Sequence, residues 1–541
     1  MNDNISLFDI NGSYGCGAYA RPECATPEAL VQHMDYLGVQ RSLVWHLGAR
    51  DVNPTWGNRR LLDEIGADDV LAGRLIPALV LTPAAFFEDG GMECLRGALE
   101  SGRTRAFRVF PGTSGFRLRE VERVVSKISR YKPVVFWDFR NRSGEQDVGD
   151  VVDLADTYPD VTFVCTEMMW PQFGAMLDVM WRCGNVSVDI SWLHMRRAIE
   201  LVVEEFGAER VFFGTGLRAH YGAAIGALAH AQISEKDRRK IACGNAERHL
   251  GLDSTEESPA VPGLLDEKPL WKWHREGLPL ENVRIIDAHG HTAPHTRGWY
   301  LPDTDIETGL KELIEQMDRL GVERTIVSAE PALFGHALEG NRELEPLLAQ
   351  YADRIGGYLA YNPYYGEEMK TEMEDFFHRG AYVGFKILPD YWEVPVTDEG
   401  YEPVWECANR RRLPVLIHTW EGSYDAPAAL TDVVQRYPDA MFLLGHSGGG
   451  NEGRRQAEEL ALHAPNVYLE FCGSFLSSIP FQGTMSRVGN DRVVFGSDTG
   501  AHSQVWELSR YLSAPVPDEY LVPGLAANME RILNKGETGS D

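Results

Sequence analysis

Short apolar runs alternate with longer amphipathic stretches along the whole chain. The stretch from Gly309 to Leu320 is typical of a helix, because its apolar residues recur every three or four positions and share one face. The runs between such stretches, for example Phe442-Leu-Leu, are almost continuously apolar, as in a sheet that is covered on both faces. The alternation predicts an α/β fold in which parallel strands are joined by right-handed helical crossovers.

Each half of the chain contains eight such apolar runs. Half of 541 residues is close to the ~250 residues of a typical (β/α)8 barrel, so we predict two tandem (β/α)8 TIM-type barrels. The predicted strands of the first half are 7–10, 41–45, 74–81, 106–110, 133–137, 161–165, 186–190 and 210–214. Those of the second half are 284–288, 324–328, 355–361, 382–388, 413–418, 440–445, 466–471 and 492–496. We expect residues 1–255 to form a first barrel, 256–283 a linker and 284–541 a second barrel.

The two halves repeat each other in order, and only the second repeat keeps a full set of residues that can bind a metal. Asp287-Ala-His-Gly-His in the second half aligns with Asp9-Ile-Asn-Gly-Ser in the first. The aligned pairs are His289 with Asn11, His291 with Ser13, Lys386 with Arg108, His418 with Trp137, His446 with Glu167 and Asp498 with Gly216. The sequence therefore predicts a tandem duplication with a metal site in the second copy and a degenerate first copy.

The candidate ligands stand at or just after predicted strand ends, where barrels of this kind carry their chemistry. Side chains two positions apart on a strand share a face, so His289 and His291 should point together into the mouth of the barrel. His418 and His446 add imidazole nitrogens, and Asp498 adds a carboxylate oxygen. This donor set suits Zn²⁺ first, and also Mn²⁺, Fe²⁺ or Co²⁺. We expect one or two divalent ions in the second barrel.

The second half resembles the amidohydrolase superfamily, and within it the amidohydrolase-related group that includes the aminocarboxymuconate-semialdehyde decarboxylase-like enzymes. The resemblance covers nearly all of residues 285–533. It rests on the motifs Asp287-Ala-His-Gly-His, Gly384-Phe-Lys-Ile-Leu-Pro, Leu416-Ile-His, Leu444-Gly-His-Ser-Gly-Gly and Phe495-Gly-Ser-Asp. It implies that His289, His291 and His418 are metal ligands and that Asp498 is a ligand and proton shuttle. It also implies that His446 binds the metal or polarises the substrate.

Lys386 keeps several roles open. In some members of the superfamily a lysine on the fourth strand is carboxylated and bridges two metals, and Lys386 would be a metal ligand only in that form. As a free ammonium it would bind a substrate carboxylate, and as part of a salt bridge it would be structural. The catalytic residues that we expect are Asp498, His446 and Lys386.

The expected activity is hydrolysis of a C–N or C–O bond in an amide or lactone-type small molecule by metal-activated water, since a bound divalent ion lowers the pKa of water to about 7. The alternative on the same scaffold is non-oxidative decarboxylation of an aromatic or enoic carboxylic acid. A non-catalytic binding protein is a third reading, which the intact ligand set disfavours. We expect the first barrel to be a pseudoenzyme domain with a structural role. A regulator that binds an anion through Arg108 and a metal-free site are the alternatives there.

The net charge and the cysteine content restrict the classes of binding partner and the cellular compartment that we expect. The formal net charge of -28 argues against nucleic acid and anionic membranes, which attract basic surfaces. The 8 cysteines form no CxxC pair, and we expect reduced thiols. Neither a signal peptide nor a membrane span is expected from the sequence. We therefore expect a cytoplasmic enzyme with a small-molecule substrate, and a homo-oligomer is compatible with this reading.

Overall fold

The computed structural model describes residues 5–18, 23–139, 145–168, 170, 172–216, 218–255, 261–295, 300–500 and 502–537. The chain divides into two compact units, Met1–Glu267 and Lys268–Asp541. Each unit is built around its own parallel sheet. The candidate ligands all belong to the second unit.

Within the described residues, the first unit forms one parallel sheet of eight strands in chain order. The strands are β1 (Phe8–Tyr14), β2 (Arg41–His46), β3 (Leu75–Val80), β4 (Ala106–Val109), β5 (Val134–Asp138), β6 (Thr162–Thr166), β7 (Val186–Asp189) and β8 (Val211–Phe212). The sheet curls until its edges meet, because the main-chain N–H of Ile10 donates to the carbonyl of Phe213, just after β8, at 3.0 Å.

The second unit repeats this sheet, again with eight strands in chain order among the described residues. The strands are β9 (Ile286–Thr292), β10 (Arg324–Ala329), β11 (Ile355–Ala360), β12 (Tyr382–Ile387), β13 (Pro414–His418), β14 (Met441–Gly445), β15 (Val467–Glu470) and β16 (Val493–Val494). The N–H of Ala288 donates to the carbonyl of Phe495, just after β16, at 2.9 Å. The prediction of two tandem (β/α)8 barrels is confirmed.

Helices follow the strands in both units. Those of the first unit are α1 (Pro27–Leu37), α2 (Leu47–Asp51), α3 (Pro54–Gly66), α4 (Asp69–Arg74), α5 (Gly91–Glu100), α6 (Pro111–Ser114), α7 (Glu122–Ile128), α8 (Glu145–Thr157), α9 (Phe173–Arg182), α10 (Ala198–Phe206), α11 (Ala223–His230), α12 (Glu235–Arg239) and α13 (Asn245–Leu250). Those of the second unit are α14 (Pro269–Arg275), α15 (Ile306–Leu320), α16 (Glu330–Phe334), α17 (Ala337–Gln350), α18 (Gly366–His378), α19 (Pro389–Trp392), α20 (Glu402–Arg411), α21 (Thr431–Arg436), α22 (Asn451–His463), α23 (Phe481–Val488), α24 (Gln504–Leu512), α25 (Asp518–Val522) and α26 (Asn528–Glu537). None of the helices in the described ranges is long and apolar enough to cross a membrane.

The first long helix of each unit begins and ends with the same local chemistry. The side chain of Thr26 accepts the N–H of Ala29 at the start of α1, and Asp305 accepts the N–H of Thr308 at the start of α15. Each helix ends at a glycine in the left-handed conformation, which a residue with a Cβ adopts only with strain; these are Gly38 (φ 74°) and Gly321 (φ 77°). The two units therefore resemble each other in their capping residues as well as in their apolar pattern.

The range 256–283, predicted as a linker, contains a packed helix. Its residues 256–260 lie outside the described part of the chain. In α14, Trp271 is fully buried and His274 Nε2 lies 2.7 Å from Ser509 Oγ of α24. This part of the range therefore belongs to the second unit.

Candidate metal centre

The strand β9 carries the His-x-His pair into the mouth of the second barrel. β9 was predicted to end at Ala288 but continues to Thr292, so that Gly290 and His291 pair with Val327 and Ser328 of β10. The two imidazoles share one face, with ring centroids 5.3 Å apart. His289 is fully buried, whereas His291 is partly open to solvent.

Asp498 completes a three-donor group with this pair. It lies just after β16 in the left-handed conformation (φ 54°), which turns its carboxylate toward β9. Asp498 Oδ1 is 2.9 Å from His291 Nε2 and 3.4 Å from His289 Nε2, and the three donors lie within 4.8 Å of one another. Two ligands on a tetrahedral ion with bonds of about 2.1 Å are separated by about 3.4 Å. The donor set therefore suits a divalent ion: the 3.4 Å separation matches that of bound ligands, and the 2.9 Å separation is a hydrogen-bond contact that metal binding would replace.

Lys386 lies against the same ring nitrogen that a metal would use. It is the penultimate residue of β12, its side chain is buried, and its Nζ is 2.8 Å from His289 Nε2. Burial lowers the pKa of Lys386 to about 8, so the neutral amine is more accessible here than in an exposed lysine. A metal at His289 Nε2 must displace this hydrogen bond, so Lys386 and the ion compete for one lone pair unless the amine is modified.

His418 and His446 stand beside the group with their Nδ1 atoms already engaged. His418 Nδ1 is 2.7 Å from Asp425 Oδ2, and His446 Nδ1 is 2.7 Å from the carbonyl oxygen of Cys472. Their ring centroids are 4.9 Å apart, and the His446 ring is 5.3 Å from that of His289. These contacts leave the Nε2 atom of each ring for a metal or a substrate.

Burial fixes the protonation of the site in its metal-binding form. Burial lowers the pKa of His446 to about 3 and, with help from Lys386, holds the pKa of His289 well below its usual range. Burial alone would raise the pKa of Asp498, but the imidazoles of His289, His291 and His502 outweigh it and hold that pKa well below its usual range. Neutral imidazoles beside an ionised carboxylate are the ligand states that a divalent cation requires.

Three buried residues that support the histidines were not predicted. Glu470 Oε2 is 3.0 Å from His289 Nδ1, the thiol of Cys472 is 3.3 Å from the same nitrogen, and Asp425 binds His418. Glu470 and Cys472 form a further group with His289 that could hold a metal, and Cys472 forms another with His446 and Asp498. Glu470 is the last residue of β15, and its place at the C-terminal end of a barrel strand was the signal that could have revealed it.

Aromatic rings flank the histidines that are not on β9. The Trp420 ring is stacked at 6.1 Å from His418 and lies edge-on at 6.0 Å from His446. The exposed Tyr391 ring meets His418 edge-on at 5.1 Å. Trp392, in contrast, is buried and donates its indole N–H to the carbonyl of Leu333, so it anchors a loop.

The first barrel replaces the donor set with a buried polar network. Asn11 Nδ2 donates to Ser191 Oγ at 3.1 Å and to Glu167, and Arg108 donates to Asn11 Oδ1. Trp137 is fully buried in β5. Among the residues that the structure describes, every group with metal-binding spacing lies in the second barrel.

Comparison with known proteins places this barrel architecture in a family. No curated protein matches the chain. An uncharacterised TIM-barrel protein from Bordetella bronchiseptica is 17% identical, and the alignment covers 47% of this chain and 100% of that chain with a TM-score of 0.39. The 5-carboxyvanillate decarboxylase of Sphingomonas paucimobilis is 13% identical over 47% of this chain and 99% of its own, with a TM-score of 0.37. The 2,6-dihydroxybenzoate decarboxylase of Rhizobium is 16% identical over 47% and 99%, with a TM-score of 0.37.

A family model described as Amidohydrolase matches the chain twice, over residues 17–252 and 286–535. The two matches correspond to the two barrels, and together they span most of the chain. The family expected from the motifs is confirmed: the chain belongs to the amidohydrolase family.

Proposed function

We propose that the second barrel is a metal-dependent decarboxylase of small planar carboxylic acids, aromatic or enoic, with Zn²⁺ or Mn²⁺ held by His289, His291 and Asp498. The supporting observation is the pair of aromatic rings, Trp420 and Tyr391, that flanks the remaining histidines. A flat apolar wall beside a Lewis-acid site favours a planar substrate whose carboxylate faces the metal ligands. His418, whose ring centroid is 4.9 Å from that of His446, is a candidate further ligand.

In this reaction the bond between the carboxylate carbon and the adjacent unsaturated carbon breaks. Carbon dioxide leaves, the bonding electrons stay on the substrate, and that carbon takes up a proton. The divalent ion, when bound, supplies Lewis-acid stabilisation of the developing negative charge. Because the substrate binds as the carboxylate, the proton that the carbon takes up comes from solvent, and the ionised Asp498 would accept it, pass it to the carbon and return to its ionised form. The neutral His446 offers Nε2 to the substrate as a hydrogen-bond partner.

Hydrolysis of an amide or lactone is the second candidate, and one observation favours it. The ionised Asp498 carboxylate lies 2.9 Å from His291 Nε2, a position from which it can take a proton from water next to the metal ligands. Decarboxylation is the activity named for two of the fold neighbours, but at 13% and 16% identity that likeness concerns the barrel fold alone. The first barrel is proposed to be a pseudoenzyme domain.

The test is a substrate panel with the metal-loaded full-length protein. Hydroxybenzoates and unsaturated carboxylic acids are incubated beside lactones and amides, and products are identified by mass spectrometry together with a coupled assay for carbon dioxide. The expected result is carbon dioxide release from an acid, which is abolished by His291→Ala and retained by His463→Ala, an exposed control on α22. Acid release from a lactone or amide, without carbon dioxide from any acid, would contradict decarboxylation and establish hydrolysis.

A further inference from the structure

One buried carboxylate occupies the same place in both barrels. Asp189 is the last residue of β7 and Glu470 is the last residue of β15. Asp189 Oδ1 accepts the main-chain N–H of Glu167 at 3.2 Å, and Glu470 Oε2 accepts that of His446 at 3.3 Å. Both carboxylates are fully buried. The contact is retained in the barrel without the metal donor set, so it does not depend on a metal.

This shared contact supports a strained turn after the sixth strand. Glu167 (φ 59°) and His446 (φ 63°) both adopt the left-handed conformation without being glycine. A residue with a Cβ adopts this conformation only with strain, which persists only where its surroundings hold it. A buried acceptor for its N–H is one such restraint, and an aspartate is long enough to provide it.

Glu470 makes a second contact that Asp189 does not make in the first barrel. Its Oε2 is 3.0 Å from His289 Nδ1, on the side of the ring opposite to the metal-facing Nε2. In the first barrel the residue at the position of His289 is Asn11, which bonds to Ser191 and Glu167 instead. Glutamate has one methylene more than aspartate, and it is found in the barrel where a histidine lies within its reach.

A second metal between Glu470, Cys472 and His289 fits the distances less well than hydrogen bonding does. The thiol is 2.9 Å from Glu470 Oε2 and 3.3 Å from His289 Nδ1, and the carboxylate is 3.0 Å from that nitrogen. Ligands on a tetrahedral zinc, with bonds of about 2.0–2.3 Å, lie about 3.3–3.7 Å apart. The observed spacings are those of donors and acceptors.

We propose that Glu470 is the positioning residue of the metal centre. By accepting His289 Nδ1–H it fixes the tautomer that presents Nε2 to the ion, and by accepting the N–H of His446 it sets the neighbouring imidazole with the same carboxylate. Asp189 accepts the corresponding main-chain N–H, that of Glu167, but has no histidine to position. The inference rests on the metal centre of the proposed function and does not depend on which reaction the centre carries out.

The two tasks can be separated with Glu470→Asp, because Asp189 demonstrates that an aspartate reaches the main-chain N–H. The metal-free full-length protein is titrated with Zn²⁺ against a competing chelator, and its thermal unfolding is followed in parallel. We expect Glu470→Asp to keep the metal-free unfolding temperature while its Zn²⁺ affinity falls roughly 10- to 100-fold, the scale of such outer-shell partners. Glu470→Gln should lose affinity as well as stability.

Asp189→Asn is the matched control, since it removes the corresponding carboxylate where the metal donors are missing. It should destabilise the first unit and leave Zn²⁺ affinity unchanged. Wild-type affinity in Glu470→Asp, or a loss of affinity matched by an equal loss of metal-free stability, would overturn the positioning role. A wild-type protein that binds no Zn²⁺ would instead refute the proposed function, so the two failures are distinguishable.

Discussion

Removing and restoring the metal should move the unfolding of one barrel only. A ligand that binds the folded state alone stabilises it by about 2.7 kcal/mol at a free concentration of 100 times its Kd. The second unit spans Lys268–Asp541. At roughly 2.1 cal/mol/K per residue, unfolding roughly 270 residues carries an entropy near 0.57 kcal/mol/K. The expected shift of the second unit's unfolding temperature is therefore about 5 °C.

Differential scanning calorimetry of the full-length chain measures this shift. The protein is treated with chelator, scanned, and scanned again after Zn²⁺ is added. His291→Ala removes a donor that is only partly buried and should abolish the shift. Ser13→Ala, at the aligned position in the first barrel, should retain it. If both units unfold in one transition, the unfolding entropy doubles and the expected shift falls to about 2–3 °C.

Two results would refute the asymmetry between the barrels. One is a shift that persists in His291→Ala, which would place the ion elsewhere. The other is a shift in the unfolding of the first unit, because the described residues of that unit contain no group with metal-binding spacing. A shift confined to the second unit would support the assignment of the donor set without knowledge of the substrate.

Three further outcomes are expected. Asp498→Asn keeps an oxygen donor but loses the basic carboxylate, so metal content should be largely retained while turnover falls roughly 100-fold or more; near-normal turnover would place the proton elsewhere. Burial raises the pKa of Glu507 from 4.5 to about 7, so the folded state holds more protons than the unfolded state in that window, and the unfolding free energy of metal-free protein should fall as pH rises through it. Glu507→Gln should flatten this dependence in denaturant titrations across pH, and a parallel profile would contradict the assignment. Trp405→Ala empties a fully buried site and should cost about 3–5 kcal/mol in the second unit, whereas the exposed Trp181→Ala should change stability by less than about 0.5 kcal/mol.

The fold was predictable because its signal is repeated and local. Each of the sixteen predicted apolar runs overlaps an observed strand, and the aligned glycines Gly38 and Gly321 end corresponding helices. The errors lie at strand ends. β9 was predicted too short because His289 and His291 are polar. In the structure its hydrogen-bonded pairing with β10 continues through these residues while their side chains point into the mouth of the barrel. β16 was predicted too long, since the chain leaves the sheet before the left-handed Asp498.

The donor residues were predictable from position, but their supports were not. His289, His291 and Asp498 were identified from motifs at strand ends, and the structure brings them together. Glu470 lies 181 positions from His289, and nothing local in the sequence connects them. Tyr391 and Trp392 are adjacent in sequence, yet Trp392 is an anchor whereas Tyr391 faces His418, and this difference is set by three-dimensional neighbours.

At the positions that correspond to the donor set of the second barrel, the first barrel carries a buried charged side chain of its own. Arg108 stands where Lys386 does in the second barrel, is buried, and donates to Asn11, the counterpart of His289. Burial raises the pKa of Asp189 to about 8, and among its charged neighbours Glu167 raises that pKa further whereas Arg108 lowers it. The single substitution Asn11→His would place an imidazole beside the Arg108 guanidinium. Position 216 would still be a glycine, so no carboxylate would stand where Asp498 does in the second barrel. The two barrels therefore differ at these positions in both charge and candidate ligands, and a single substitution would not give the first barrel the donor set of the second.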